Sequence, residues 1–231
     1  MPVETTADLQ KRAVARAAAQ RVQPGMRLGL GSGSTMRHVT EAIAARVRAG
    51  ELPGLEVVPT SLEVAALAGR FGWKLSSPDG PALDLDIDGA DEVDPELNLS
   101  KGLGAALFRE KVVAEAAETF LVVVDQSKWV DRLGQRAPVS VEVVPFGYQA
   151  ALRRLAGYGR PQLRLQGGRP LRSDNGNLLV DLAIVPGEFP LADLYRELKL
   201  ITGVVETGLF LGLASEVLTA SAEGIHSRQR P

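Results

Sequence analysis

Apolar and polar positions along the first half of the chain alternate between two periods. Residues 6–21 repeat at helical spacing, Pro24-Gly25 marks a turn, and MRLGL at 26–30 reads as a strand. GSGST at 31–35 opens a helical stretch to about residue 49; a strand at 55–59, a helix over 61–71 and the alternating run LDLDI before Asp88 follow. Residues 103, 106, 107, 110, 113, 114 and 117 share one helical face, and FLVVVD at 120–125 has the pattern of a buried strand. This alternation predicts a parallel sheet covered by helices.

The pattern changes near residues 131–138, a polar segment containing Gly and Pro. PVSVEVVP at 138–145 predicts a strand, followed by a helix over 146–157, a strand at 162–166, a strand over 177–185 and a helix over 190–199. SDNGN at 173–177 reads as a hairpin turn centred on Asn175-Gly176 rather than as a polar site. These elements predict a smaller α+β unit. VVETGLF at 204–210 is expected to return the chain to the first domain, giving a large domain of residues 1–131 and 206–231 and a small one of 132–205. The tail SAEGIHSRQRP lacks apolar periodicity and is expected to fray.

Candidate chemistry is concentrated in residues 88–111, DGADEVDPELNLSKGLGAALFREK. The stripe Leu103, Ala106, Leu107, Glu110, Val113, Ala114, Ala117 carries one carboxylate, while Lys111, Glu115 and Glu118 occupy a different, solvent-like face. Glu110 is therefore expected to point inward. Loss of hydration raises a carboxylate's pKa and suits it to acid and base work, although a buried Glu paired with Arg or Lys fits the same stripe. Asp88 and Asp91 are read in the loop at the C-terminal end of a strand, the edge at which open α/β sheets bind ligands. Carboxylates there can accept from sugar hydroxyls, and Lys101 offers a cation to an oxyanion. An acidic, solvated capping loop is the competing reading.

The backbone amides of GSGST and the hydroxyls of Ser32, Ser34 and Thr35 can cradle a phosphate at a helix N-terminus, or simply make a capped tight turn. The loop is no dinucleotide fingerprint: G-x-G-x-x-G read from Gly29 ends on Ser34, and read from Gly31 it ends on Met36. Nor is there a Walker lysine. Lys128 lies just beyond the 120–125 strand; alone it would be a surface lysine, but right-handed crossovers bring such strand ends to one edge of the sheet. Asp84, Asp86, Asp88 and Gly89 match the opening of a calcium loop, yet Pro95 stands where the bidentate Glu belongs. His38 and His226 are not arranged for a triad or a histidine-based metal centre.

Composition sets outer limits. The chain has 231 residues, 45% hydrophobic, with a formal net charge of −2, enough for one large domain or a large and a small one, and without the basic balance of a nucleic-acid binder. The absence of Cys excludes disulfides, thiolate metal sites and cysteine nucleophiles. With no signal-like N-terminus and no apolar run of membrane length, a cytoplasmic protein is expected.

Taken together, these segments resemble the ribose-5-phosphate isomerase A family. The resemblance runs through GLGSGST at 29–35, DGADEVDPELNLSKG at 88–102, LFREKVV at 107–113, VVVDQSKWV at 122–130, PVSVEVVPFG at 138–147, SDNGN at 173–177 and GVVETGLF at 203–210. It implies a Rossmann-like domain, a smaller ferredoxin-like α+β domain at oligomer contacts, and a homodimer or dimer of dimers. The implied reaction is interconversion of ribose 5-phosphate and ribulose 5-phosphate in the pentose phosphate pathway, without metal or cofactor. Glu110 would shuttle a proton between carbons 2 and 1 through an enediolate, Lys101 would stabilise the oxyanion, and Asp88 and Asp91 would hold hydroxyls, with Asp88 assisting ring opening. Ser32, Gly33, Ser34, Thr35, Lys128 and Lys11 would serve substrate and phosphate, joined by Gly89, Ala90, Gly102, Leu103 and Gly104.

Two departures from the family pattern stand out. GTGST becomes GSGST, which keeps a hydroxyl, and the usual KGGG becomes KGLG. Leu103 is therefore expected to adopt ordinary dihedrals, to contact substrate through its main chain, and to face the core with its side chain. A sugar-phosphate sensor would be expected to carry a basic helix-turn-helix, which the sequence lacks. An amino-sugar phosphate deaminase would be expected to hold a histidine in the 88–128 block, and there is none.

Overall fold

The computed structural model describes residues 6–230. Helix α1 (Thr6–Ala19), strand β1 (Arg27–Leu30), helix α2 (Ser34–Arg48), strand β2 (Glu56–Pro59), helix α3 (Leu62–Arg70) and strand β3 (Lys74–Leu75) come first. Strands β4 (Leu85–Asp88), β5 (Glu92–Val93) and β6 (Leu99–Ser100) precede helix α4 (Leu107–Ala116), strand β7 (Phe120–Asp125) and a 3-10 turn at Gln126–Lys128. Next are β8 (Val139–Val143), α5 (Tyr148–Leu155), β9 (Arg160–Leu163), the short β10 (Leu165–Gln166) and β11 (Arg169–Pro170), and β12 (Leu178–Ala183). Helix α6 (Leu191–Lys199) and strands β13 (Val204–Thr207), β14 (Leu209–Phe210), β15 (Glu216–Ser221) and β16 (Gly224–Gln229) complete the order. Among the described residues, no helix is long and apolar enough to cross a membrane.

The chain forms two compact units: residues to Ala90, 109–128 and 213 onward in the first, and 91–108 with 129–212 in the second. The first holds a sheet in the order β16-β15-β7-β4-β1-β2-β3, parallel except for β16 at its edge. The chain steps outward from β1 to β2 and β3 in one direction, and from β4 to β7 and β15 in the other. Right-handed crossovers in opposite directions put their helices on opposite faces. Burial agrees: Leu28, Leu30 and Ile87 pack with Val14 and Ala18 of α1 and with Val39 and Ile43 of α2. Val113 of α4 packs instead with Val58 and Leu83. The reversal lies between β1 and β4, so the loops after these two strands flank the switch point at which such sheets bind ligands.

In the second unit, the sequence β8-α5-β9-β12-α6-β13 folds into an antiparallel sheet in the order β13-β8-β12-β9, the ferredoxin-like arrangement. Val139, Val141, Val143, Val180 and Leu182 share a core with Ala151 and Leu155 of α5 and Leu194 and Leu198 of α6. Strand alternation sends Ser140 and Glu142 to the opposite face, where both are fully buried. A three-stranded sheet, β14-β6-β5, carries residues 92–100 and 209–210 in the same unit.

Several details differ from the sequence reading. Residues 91–108, 129–131 and 206–212 belong to the second unit rather than the first; β13 pairs with β8 and β14 with β6. The tail does not fray; β16 pairs with β15 from Ser221↔Gly224 to Glu216↔Gln229. Its residues are exposed along their length, so an edge strand held by backbone bonds leaves no apolar alternation to read. Lys111, expected on a solvent-like face, is only 3% exposed, because the first turns of α4 are enclosed around most of their circumference. Leu103, expected to face the core, is 47% exposed. Helix α4 begins only at Leu107, so helical periodicity does not reach Leu103, and the buried Leu107 takes the core position.

Candidate active site

In the first unit, the C-terminal ends of β1, β4 and β7 lie side by side at one edge of the sheet. These ends lead into GSGST, Asp88 and the 126–128 turn, so the strand ends singled out in the sequence are neighbours. Asp88 is the last residue of β4, paired with Val122, rather than a loop residue. Its side chain is buried, and Oδ1 accepts from the Gly89 amide at 2.7 Å. Room for this carboxylate comes from Gly31: a Cβ there would lie 1.9 Å from Asp88 Oδ1. The first glycine of GSGST is thus required by Asp88, a steric relationship between two sequence motifs.

Glu110 sits in the first turn of α4 and is 5% exposed, as the apolar stripe predicted. The Ser32 hydroxyl donates to Glu110 Oε1 at 3.0 Å, tying the loop after β1 to the inward carboxylate. Gly33 precedes α2 with φ of 103°, and Ser34 and Thr35 open that helix, so their backbone amides belong to its unbonded first turn. Lys11 of α1 reaches the same loop, its Nζ 3.1 Å from Ser34 Oγ. Lys128 ends the 3-10 turn after β7 and is partly exposed. Gly89 and Ala90 continue the chain from Asp88 and are partly exposed.

The remaining predicted residues lie in the second unit. Lys101 follows β6, is 4% exposed, and holds its Nζ 5.6 Å from the centroid of the Phe210 ring. Asp91 Oδ2 accepts from the Leu103 amide at 2.9 Å, and the Asp91 amide donates to the Ser100 carbonyl at 2.8 Å. The positive φ angles of this loop fall on Gly102, at 114°, and on Ala105, at 65°, so Leu103 has the ordinary dihedral expected of it. Gly104 is exposed. The resemblance of 84–89 to a calcium loop ends in an extended strand, with Asp84 Oδ2 accepting from the Arg27 amide. Among the described residues, no three or more His, Asp or Glu side chains are grouped to hold a metal ion.

A model of the family described as ribose 5-phosphate isomerase A (phosphoriboisomerase A) matches residues 56–224. The chain belongs to this family. It is 42% identical over 225 residues to the ribose-5-phosphate isomerase A of Deinococcus radiodurans, covering 96% of this chain and 98% of that protein. To that of Roseiflexus castenholzii it is 45% identical, covering 96% of each. A solved D-ribose-5-phosphate isomerase in complex with phospho-erythronic acid matches at a TM-score of 0.94 and 35% identity, over 98% of this chain and all (100%) of that one. The ribose 5-phosphate isomerase A of Methanocaldococcus jannaschii matches at 0.91 and 34% identity, over 97% and 100% of the two chains.

Within this member of the ribose 5-phosphate isomerase A family, sequence reasoning missed the residues that hold the Lys101 loop. Arg164, Asp181 and Ser140 surround it from the ferredoxin-like sheet. In the sequence they are isolated polar positions in alternating strands, indistinguishable from a solvated face. Ser140 and Glu142 carried the one available signal: a strand whose second face is polar but which sits in the middle of a sheet.

Proposed function

We propose that the chain is an aldose-ketose isomerase that interconverts D-ribose 5-phosphate and D-ribulose 5-phosphate by proton transfer, without metal or cofactor, in the non-oxidative pentose phosphate pathway. Membership in the family supports the overall reaction. The observation that carries the mechanism is the Ser32–Glu110 hydrogen bond, since it joins the phosphate-type loop to the one inward carboxylate of α4. The phospho-erythronic acid in complex with a solved relative is in keeping with a site that takes a phosphorylated substrate.

In this reading, Glu110 as carboxylate removes the proton from carbon 2 of the open-chain aldose. The electron pair moves into a carbon 1–carbon 2 double bond, and the aldehyde oxygen becomes the oxyanion of an enediolate. Lys101 stabilises that charge. Protonated Glu110 then delivers its proton to carbon 1, while the hydroxyl proton of oxygen 2 passes to oxygen 1, leaving the ketose and a regenerated carboxylate. Asp88 and Asp91 accept from substrate hydroxyls, and Asp88 assists ring opening of the furanose. Ser32, Gly33, Ser34 and Thr35, with Lys128 and Lys11, hold the phosphate; Gly89, Ala90, Gly102, Leu103 and Gly104 supply main-chain contacts.

A homodimer or dimer of dimers, with the ferredoxin-like unit at its contacts, and a cytoplasmic location complete the proposal. Purified protein given ribose 5-phosphate with excess chelator tests it directly. Formation of ribulose 5-phosphate at an unchanged rate is expected. Absence of turnover under any condition would overturn the isomerase reading, and turnover abolished by chelator and restored by a divalent cation would overturn its metal independence.

A further inference from the structure

The Lys101 loop leaves its strand with main-chain groups that must be held by something other than the sheet. Its amide donates to the Gly208 carbonyl at 2.8 Å, but Gly102 turns away with φ of 114°. A Cβ at Gly102 would lie 2.7 Å from Ser140 Cβ and 2.8 Å from Leu107 Cδ2, so the backbone is pressed against the sheet. At this place the loop meets the Arg164 guanidinium. One terminal nitrogen donates to the carbonyls of Gly102 at 2.8 Å and Leu103 at 3.1 Å. The other donates to Ser140 Oγ at 2.7 Å and to Asp181 Oδ1, and Nε donates to Asp181 Oδ2 at 3.0 Å.

These five bonds use all five N–H donors of an arginine. The Asp181 fork fixes the plane of the guanidinium, and that plane fixes the two carbonyls. The peptide between Gly102 and Leu103 is held from both sides. Its carbonyl faces Arg164, and because a trans peptide points its N–H the opposite way, its amide is presented to Asp91 Oδ2 at 2.9 Å. One guanidinium thus sets the exit angle of the Lys101 main chain and the hydrogen bond that orients Asp91.

We propose that Arg164 is a positioning residue for the isomerisation, acting through the Lys101–Leu103 loop and held in turn by Asp181 and Ser140. The proposal rests on the reading of Lys101 as the group that stabilises the oxyanion. Arg164 touches no reacting atom. Its removal lets the loop relax, and a displacement of Lys101 by about 1 Å is enough to lower turnover on the order of a hundredfold. Lysine cannot substitute, because its three donors on a single nitrogen cannot engage two carbonyls, a hydroxyl and both oxygens of a carboxylate.

The test is steady-state kinetics on Arg164→Ala, Arg164→Lys, Asp181→Asn, Lys101→Ala and the double variant Lys101→Ala/Arg164→Ala, each checked for folding by circular dichroism. Expected is a fall in kcat of about 10- to 100-fold in both Arg164 variants, with KM changed less than about threefold. A smaller fall is expected in Asp181→Asn. The double variant should lose far less than the product of the two single losses, since the part of the Arg164 effect that runs through Lys101 is already gone and only the orientation of Asp91 is left to it. Additive losses, or wild-type kcat in a folded Arg164→Lys, would overturn the proposal. If Arg164→Ala does not fold, Arg164→Lys and Asp181→Asn decide. Wild-type turnover in Lys101→Ala would instead overturn the role given to Lys101, a failure distinct from that of Arg164.

Discussion

The Ser32 hydroxyl donates to Glu110 Oε1 at 3.0 Å, joining the loop after β1 to the first turn of α4. A donor to a carboxylate favours its charged form and lowers its pKa. Removing it in Ser32→Ala is therefore expected to raise the pKa of Glu110. The acidic limb of the kcat/KM profile, which reports the base in the free enzyme, should move to higher pH, with turnover at the plateau lowered by less than about tenfold. An acidic limb that stays in place would show that Ser32 does not tune the base.

Glu110→Gln removes the proton acceptor and keeps the shape of the side chain. Turnover is expected to fall by about two to four orders of magnitude with little change in KM, the mark of a group acting mainly in the transition state. Ribulose 5-phosphate formation at the wild-type rate would remove Glu110 from the role of base.

Gly31 and Asp88 share space that neither can give up. In Gly31→Ala, the added Cβ would fall 1.9 Å from Asp88 Oδ1 and 2.6 Å from Asp88 Cβ, so the carboxylate must move. The variant is expected to lose about tenfold or more in kcat/KM. Steady-state kinetics beside Asp88→Asn checks it: comparable losses would trace both to the aspartate, and full activity in folded Gly31→Ala would detach Asp88 from the chemistry.

How much of this was legible in the sequence depends on the range of the interaction. Glu110 was found from its own helix, because one polar residue in an apolar stripe is a local signal, and the strand ends were found because alternation of elements dictates their side. Leu103 and Lys111 were misread, since periodicity does not say where a helix begins or how much of its circumference is covered. Arg164 was invisible. Its partners Gly102, Ser140 and Asp181 come from three separate stretches of chain, and only the ferredoxin-like pairing of β8, β9 and β12 makes them neighbours. The strand β16 was missed because backbone pairing at an edge leaves no side-chain pattern.

Lys128 ends the turn after β7, at the strand end next to that of β4. If it holds the phosphate, Lys128→Ala removes a charge-assisted hydrogen bond made equally in ground and transition states. KM is expected to rise about tenfold, with kcat largely retained. Lys11, whose Nζ already contacts Ser34 Oγ, supplies a second cation and should limit the loss. An unchanged KM would remove Lys128 from the phosphate site.

Glu92 gives a prediction about stability rather than chemistry. It is 1% exposed, and its carboxylate accepts from the amides of Gly134 at 2.6 Å, Arg136 at 2.5 Å and Ala137 at 2.9 Å, and from Ser100 Oγ at 3.1 Å. The polar segment 131–138 is thus tied to β5 by a buried carboxyl group. Glu92→Gln replaces one acceptor oxygen with a donor that faces N–H groups, leaving at least one buried amide without a partner. A loss of about 1–3 kcal/mol is expected in urea unfolding. A midpoint equal to that of the wild type would mean that water replaces the carboxylate at no cost, and that residues 131–138 hold their place without it.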